Sequence, residues 1–170
     1  MNKEYLKMKK MTYVQLVKYL HKKYGIPQGS YWLTPSCRSK NREIMRGKEG
    51  LFCHHVKEYL NSCLCDPNRA KEVPAVWHQN ENLVYCNHLE HALLHLKIVE
   101  WFDKEKPTQC PCWQDGLGYF VMSKFNDDLL NEHEFKMPFY KIVAKQMEPY
   151  HDEIEDVFNE AYKYSHDYRC

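Results

Sequence analysis

Apolar residues recur at helical spacing in two parts of the chain. The first repeat follows Thr12 and Gln15, whose separation by three positions is typical of a capping box at a helix N-terminus. The apolar positions of this repeat are Tyr13, Leu16, Val17, Leu20 and Tyr24. Because Gly25 and Pro27 follow directly, the pattern predicts an amphipathic helix that ends at Gly25.

Two short apolar runs in the middle of the chain predict strands. Residues 51–56 form the first run, directly after Gly50, and residues 83–86 form the second. The connection over residues 61–80 contains Pro67 and Pro74 and has no periodicity, so we expect it to be irregular. Asn87, with Glu90 three positions later, then marks the start of a second helix, which we expect over residues 88–102.

The chain is expected to end in two further helices. A loop over residues 107–118 and a strand over residues 118–122 come before them. The last helix has its apolar residues at helical spacing, at Ile154, Val157, Phe158, Ala161 and Tyr162. Its acidic residues are Glu153, Glu155, Asp156 and Glu160. The simplest interpretation is a solvated outer face, and the alternative is that this face folds toward a basic part of the chain.

These elements predict an α+β fold in a single domain, residues 1–170. We divide it into a basic N-terminal helix and loop (1–50), a strand–strand–helix core (51–102) and a C-terminal helical part (103–170). Residues 1–50 hold 12 Lys or Arg against three Glu, a formal charge of +9, and the rest of the chain carries −8. This asymmetry indicates a face that binds polyanions, although a solvated lysine-rich helix explains it equally well. Within this part, the candidate nucleic-acid ligands are Arg38, Lys40, Arg42 and Arg46.

Composition excludes a membrane protein and a disordered chain. No run approaches the roughly 20 apolar residues of a membrane-spanning helix, and 44% of the residues are hydrophobic. The lysine-rich N-terminus has no apolar stretch after it, so we expect a cytoplasmic protein whose eight cysteines stay reduced. The pairs Cys63-x-Cys65 and Cys110-x-Cys112 only weakly match the usual zinc-binding spacing, which makes a structural zinc the less favoured alternative for them.

Histidines give the strongest chemical signal. Five of the ten histidines fall within 42 residues of the predicted core: His54, His55, His88, His91 and His95. His54 and His55 are neighbours on a strand and therefore point to opposite faces, so that one can bind a metal while the other does chemistry. His91 and His95 are four residues apart on a helix, close enough to chelate one ion. His88 lies in the first helical turn. The alternative to a role in the site is that it is an ordinary solvated residue at the start of the helix.

This arrangement resembles the HNH, or ββα-metal, nuclease motif. The similarity covers residues 51–101 and rests on His54-His55, Asn82-Leu83-Val84 and Glu90-His91-x-x-x-His95. It is closest to the variant with paired histidines on the first strand, as in colicin-type nucleases and many phage HNH enzymes, which suggests a phage or mobile-element setting. The resemblance implies a ββα-metal hairpin and helix embedded among flanking α-helices.

The resemblance also implies a role for each residue of the motif. His54, His91 and His95 would hold the metal ion, and His55 would be the general base that activates water. Asn82 would bond the backbone of the hairpin and help to orient the base, although an ordinary turn residue is an equal alternative. Glu58 departs from the family, since many relatives carry Pro at this position; it would be an extra ligand or would orient one of the ligand imidazoles, and His88 is a further candidate for that orienting role.

Such residues suit the hydrolysis of phosphodiester bonds. A neutral imidazole is an effective base near neutral pH, and a divalent cation stabilises the charge that develops on the phosphate oxygens. Three imidazoles favour Zn²⁺, Ni²⁺, Co²⁺ or Mn²⁺ over Mg²⁺, which prefers oxygen ligands, although Mg²⁺ stays open. We therefore expect a DNA endonuclease. The alternatives are an RNase that uses the same site and a non-catalytic, zinc-stabilised module that binds nucleic acid or another partner.

Overall fold

A computed structural model describes residues 1–105 and 138–167 of the chain. The described helices are α1 (Lys3–Lys9), α2 (Tyr13–Tyr24), α3 (Pro67–Ala70), α4 (His88–Glu105), α5 (Pro138–Met147) and α6 (His151–Asp167). The strands are β1 (Phe52–His55) and β2 (Leu83–Cys86), which form one two-stranded sheet. This mixture of helices with a small antiparallel sheet agrees with the predicted α+β class.

The two strands confirm the prediction for the middle of the chain. They pair antiparallel, with His54 opposite Val84 and His55 opposite Leu83. The connection between them is irregular, as expected. It contains α3 and three 3₁₀ turns, over Val56–Tyr59, Ala75–His78 and Asn80–Asn82. The predicted strand over residues 118–122 lies outside the described residues.

Helix α2 begins with the capping box that the sequence predicts. The Thr12 hydroxyl accepts a hydrogen bond from the Gln15 backbone N–H, and the Gln15 side chain accepts one from the Thr12 N–H. The helix ends at Gly25, whose φ of 83° is a conformation that favours glycine. Helix α1 was not predicted. Its N-cap is Asn2, whose side chain accepts from the Glu4 N–H.

Helix α4 is the central element of the core. From His88 to Val99 every residue except the half-buried His91 is buried. Helices α2, α5 and α6 and both strands contact it. Asn87 and Glu90 form a reciprocal cap, in which the Asn87 side chain accepts from the Glu90 N–H and the Glu90 carboxylate accepts from the Asn87 N–H. A helix packed on nearly all sides is fixed in position, and this fixes His91 and His95.

Three of the four acidic residues predicted on α6 face the basic N-terminal part of the chain, whereas Glu155 is exposed to solvent. Lys9 on α1 donates to Asp156 at 2.6 Å and to Glu160 at 3.2 Å. Glu153 is buried and accepts a hydrogen bond from the Asn2 backbone N–H. The simpler interpretation, a solvated outer face, is therefore wrong for these three residues. The two ends of the described chain pack against each other.

Residues 28–50 form an irregular layer that packs over one side of the sheet. Isolated β-bridges join Ser30 to Gln79 and Trp32 to Lys40, and 3₁₀ turns cover Arg42–Ile44 and Gly47–Glu49. Tyr31 and Trp32 are buried in a small second hydrophobic cluster with Leu83. In the part of the chain that the structure describes, no helix has the length and apolar content needed to cross a membrane.

Candidate metal centre

Strand β1 and helix α4 bring three of the predicted ligands together. One nitrogen atom from each of His54, His91 and His95 lies within 4.8 Å of the other two. His54 projects from β1 toward α4, where His91 and His95 lie one helical turn apart. His54 and His95 are buried, and His91 is half-buried. The group can hold one metal ion.

The distances within the group fit a shared ion. The Nε2 atoms of His91 and His95 are 3.1 Å apart. Two nitrogens at about 2.0–2.1 Å from one ion would subtend an angle of about 100° at that separation, close to tetrahedral. The buried Nδ1 of His54 makes no hydrogen bond. A buried nitrogen without a partner is costly, and a cation would satisfy it.

Burial keeps His54 and His95 neutral. It lowers the pKa of His54 well below the usual range, and the neighbouring imidazoles of His95 and His91 lower it further. Burial and then His91 have the same effect on the pKa of His95. Neutral imidazole is the form that binds a metal, so the environment prepares these rings as ligands.

Glu58 lies beside the group and faces two of its nitrogen atoms. It belongs to the turn after β1, and its Oε2 lies 3.8 Å from Nδ1 of His54 and 3.6 Å from Nε2 of His95. Burial raises the pKa of Glu58 to about 8, although a backbone hydrogen bond from Leu64 opposes the rise. These contacts therefore join mostly uncharged groups at neutral pH and are not true ion pairs. A cation bound between Glu58 and these histidines would favour the ionised form of the Glu58 carboxyl group.

His55 lies on the opposite face of β1 but borders the same cavity. Its ring packs against Tyr31, with centroids 4.3 Å apart, and against His78 at 5.1 Å. A cavity of about 240 Å³ is lined by His55 and by the three ligand histidines. Because His55 is the last residue of the strand, its side chain can reach this cavity from the other face. Burial, helped by His78 and Lys40, lowers the pKa of His55 to about 3.

Asn82 lies outside the cavity and bonds the connection between the strands. Its Nδ2 donates to the Val76 carbonyl oxygen at 3.0 Å. This bond ties the 3₁₀ turn before β2 to the preceding turn, which also carries His78.

His88 is buried, so the interpretation as a solvated helix-start residue is wrong. Its ring packs on Phe52, with centroids 5.2 Å apart, and Phe52 also stacks on His91 at 5.2 Å. His88 lines the cavity but does not belong to the three-nitrogen group. It can support His91 through Phe52 but is not placed as a ligand.

The structure separates the four basic residues that the sequence grouped together. Lys40 lines the cavity, and its Nζ lies 5.3 Å above the Tyr31 ring. Arg46 is occupied elsewhere, since it pairs with Glu49 and donates to the Tyr24 carbonyl oxygen. Arg38 and Arg42 are exposed and do not line the cavity.

The cysteine pairs receive no support as a second metal site from the described residues. Cys63 and Cys65 line the cavity with the histidines, but neither joins a group of three possible ligands in residues 1–105 or 138–167. Each of the five described cysteines is a free thiol. Cys110 and Cys112 lie outside the described residues.

Three residues of the site were missed by the sequence analysis. Tyr13 makes a 3.1 Å contact with Nε2 of His54, whereas Tyr31 and His78 hold the ring of His55. In the sequence, Tyr13 is one apolar position of an amphipathic helix, and nothing in that pattern links it to a residue 41 positions later. The only local signal was the hydroxyl group of Tyr13, because a purely apolar core position does not need one.

The chain was compared with family models, curated proteins and solved structures, and none of the three comparisons gave a match. The function must therefore be argued from the geometry of the site.

Proposed function

We propose that this chain is a metal-dependent endonuclease of the HNH class that hydrolyses phosphodiester bonds in DNA. The observation that carries the proposal is the convergence of His54, His91 and His95 on one cavity that a fourth imidazole, His55, also borders. Metal ligands and a separate base in one cavity are what phosphodiester hydrolysis requires.

His54, His91 and His95 would hold the ion. An all-imidazole set favours Zn²⁺ or another borderline transition ion, such as Ni²⁺, Co²⁺ or Mn²⁺, over Mg²⁺. When bound, the ion would stabilise the negative charge that develops on the phosphate oxygens. Glu58 faces the same two nitrogens, Nδ1 of His54 and Nε2 of His95, and would lie beside the bound ion.

His55 takes a proton from the attacking water as the water oxygen forms its bond to phosphorus. The leaving oxygen then departs with the P–O bond electrons and receives a proton from solvent. A His55 pKa of about 3 keeps the ring neutral and able to accept a proton, but it also makes the ring a weak base. A phosphate anion beside His55 would strengthen the base, because negative charge favours imidazolium.

The charges around the cavity support an anionic substrate. Lys40 is the cation that lines it, and its position beside His55 suits a contact with a phosphate. In residues 1–50, Lys9, Lys23 and Arg46 pair with carboxylates of the protein, so they contribute little to binding. Within the part of the chain that the structure describes, the other basic residues of this segment form no such pair, and they would supply the electrostatic attraction to a nucleic acid.

The test combines metal binding with cleavage. Purified protein is stripped with a chelator, titrated calorimetrically with Zn²⁺, Ni²⁺, Co²⁺, Mn²⁺ and Mg²⁺, and then assayed on supercoiled plasmid DNA and on RNA of matched length. We expect one ion per chain and metal-dependent cleavage of DNA. Cleavage of RNA alone would favour the RNase alternative, and the absence of cleavage with every bound ion would refute the proposal.

A second candidate function is a non-catalytic zinc module. The observation that favours it is the position of Glu58, whose carboxylate could complete a four-ligand sphere with the three histidines. Structural zinc sites have four protein ligands, whereas catalytic sites leave a position for water. X-ray absorption spectra of the zinc-loaded protein distinguish the two, because only the catalytic site includes a water oxygen that an added anion displaces.

A further inference from the structure

Tyr13 lies at the point where helix α2 meets the candidate metal centre. Its side chain is buried, and its hydroxyl has two neighbours within hydrogen-bond distance. One is the carbonyl oxygen of Val56 at 2.9 Å, and the other is Nε2 of His54 at 3.1 Å. Both neighbours belong to β1 or to the turn directly after it.

The two contacts can coexist in only one arrangement of hydrogens. A phenol has one hydrogen to donate, and a backbone carbonyl can only accept. Tyr13 therefore donates to Val56, and its oxygen accepts from His54. The proton of the neutral His54 ring then lies on Nε2, and Nδ1 carries the lone pair.

The other side of the His54 ring agrees with this assignment. Nδ1 is buried and makes no hydrogen bond, as expected of a nitrogen without a hydrogen that faces other ligands. The carboxyl group of Glu58 lies beside Nδ1, with its Oε2 3.8 Å away. A histidine that binds a metal through one ring nitrogen generally donates a hydrogen bond from its other ring N–H to a fixed partner. This hydrogen bond sets the tautomer and the orientation of the ring.

We propose that Tyr13 is a positioning residue of the metal centre: its hydroxyl holds His54 in the Nε2–H tautomer and so presents Nδ1 to the ion. The proposal rests on the metal site of the proposed function. It adds a residue from helix α2, which lies outside the strand–strand–helix core. Through Val56, the same hydroxyl also fixes the start of the turn that carries Glu58.

The variant Tyr13→Phe removes only the hydroxyl. We expect its affinity for the preferred ion to fall by about 10- to 100-fold, the usual effect of losing a partner of a metal-bound histidine. The matched control is Tyr85→Phe. Tyr85 is also buried and donates to a backbone carbonyl, that of Ile44 at 2.6 Å, but among the described residues no side-chain hydrogen bond or ring contact joins it to a ligand histidine. This control should bind the ion as tightly as the wild type.

A second measurement needs no variant. The ¹⁵N ring resonances of His54 in the metal-free wild type report which nitrogen carries the proton, and we expect Nε2. In Tyr13→Phe the signals should shift toward a mixture of the two tautomers, whereas they should be unchanged in Tyr85→Phe. A substitution that only destabilised helix α2 would not change the tautomer of His54.

The outcomes distinguish this inference from the proposed function. If the wild type binds none of the tested ions, the metal site itself is refuted and the inference falls with it. If the wild type binds an ion and Tyr13→Phe binds it equally well, only the role of Tyr13 is refuted. An Nδ1–H tautomer of His54 in the metal-free wild type would also overturn that role.

Discussion

The substitution His55→Ala separates catalysis from metal binding. His55 points away from the ligand nitrogens on β1, so its removal should leave His54, His91 and His95 in place. The affinity for the ion should therefore stay within a few-fold of the wild type. Cleavage should fall by about 10²- to 10⁴-fold, the usual contribution of a general base. At 1.36 kcal/mol for each factor of ten, this corresponds to about 3–5 kcal/mol of activation free energy.

The cost of this substitution to stability should be modest. The imidazole packs between Tyr31 and His78, and its loss leaves a cavity that destabilises the fold. The Nε2 of His55 is buried without a hydrogen-bond partner, however, and removing such an atom recovers about 1–3 kcal/mol. The two effects oppose each other, so we expect a net change below about 2 kcal/mol, and the variant should remain folded.

The assay compares supercoiled-plasmid cleavage and calorimetric metal binding for the wild type, His55→Ala and the control His78→Ala. His78 is also buried and packs on the same ring, but it does not line the cavity. Its substitution should slow cleavage far less. Equal cleavage rates for His55→Ala and the wild type would refute the assignment of His55 as the base. Loss of metal binding in His55→Ala would instead make this residue a ligand.

Three further predictions address the metal ligands, the contact between α1 and α6, and the core. His91→Ala should lower both metal affinity and cleavage, and a variant that retains both would remove His91 from the site. Burial raises the pKa of Asp156, but hydrogen bonds from Lys9 and Tyr5 outweigh it and hold the pKa below its usual value. The stability that Asp156 adds should therefore be complete above the unfolded-state pKa of about 4 and disappear as pH falls through the lower folded-state value. Urea unfolding of the wild type and Asp156→Asn should diverge above pH 5 and converge in acid, and a pH-independent difference would contradict this reasoning. Leu93→Ala should lower the free energy of unfolding by about 2–5 kcal/mol because Leu93 is fully buried. The matched control is Leu33→Ala, at a side chain that is 60% exposed. This control should change the free energy of unfolding by less than about 0.5 kcal/mol.

Local sequence patterns were sufficient for the elements that carry the site. The cap at Thr12 and Gln15 and the cap at Asn87 and Glu90 depend on hydrogen bonds between residues three positions apart, so the sequence shows both directly. The alternation of faces on a strand separated His54 from His55 before any coordinates were considered. Helical spacing alone placed His91 and His95 within reach of one ion.

Long-range packing decided the features that were missed. Helix α1 is short, and its pairing with α6 joins residues about 150 positions apart, as in the bond from Tyr5 to Asp156. The burial of His88 follows from its contact with Phe52 on β1, which helical position alone does not reveal. Basic residues look alike in sequence, yet Lys40 reaches the cavity whereas Arg46 is held by Glu49.

The sequence by itself determined which residues can act as ligands and base, because residue type and local periodicity set the chemistry and the face on which it lies. Only the tertiary structure decided that His54 meets His91 and His95, that Tyr13 holds His54, and that Tyr31 and His78 enclose His55. These contacts join elements far apart along the chain. They form only when the helices, strands and turns pack together, and that packing, unlike a helix or a strand, leaves no periodic signal in the sequence.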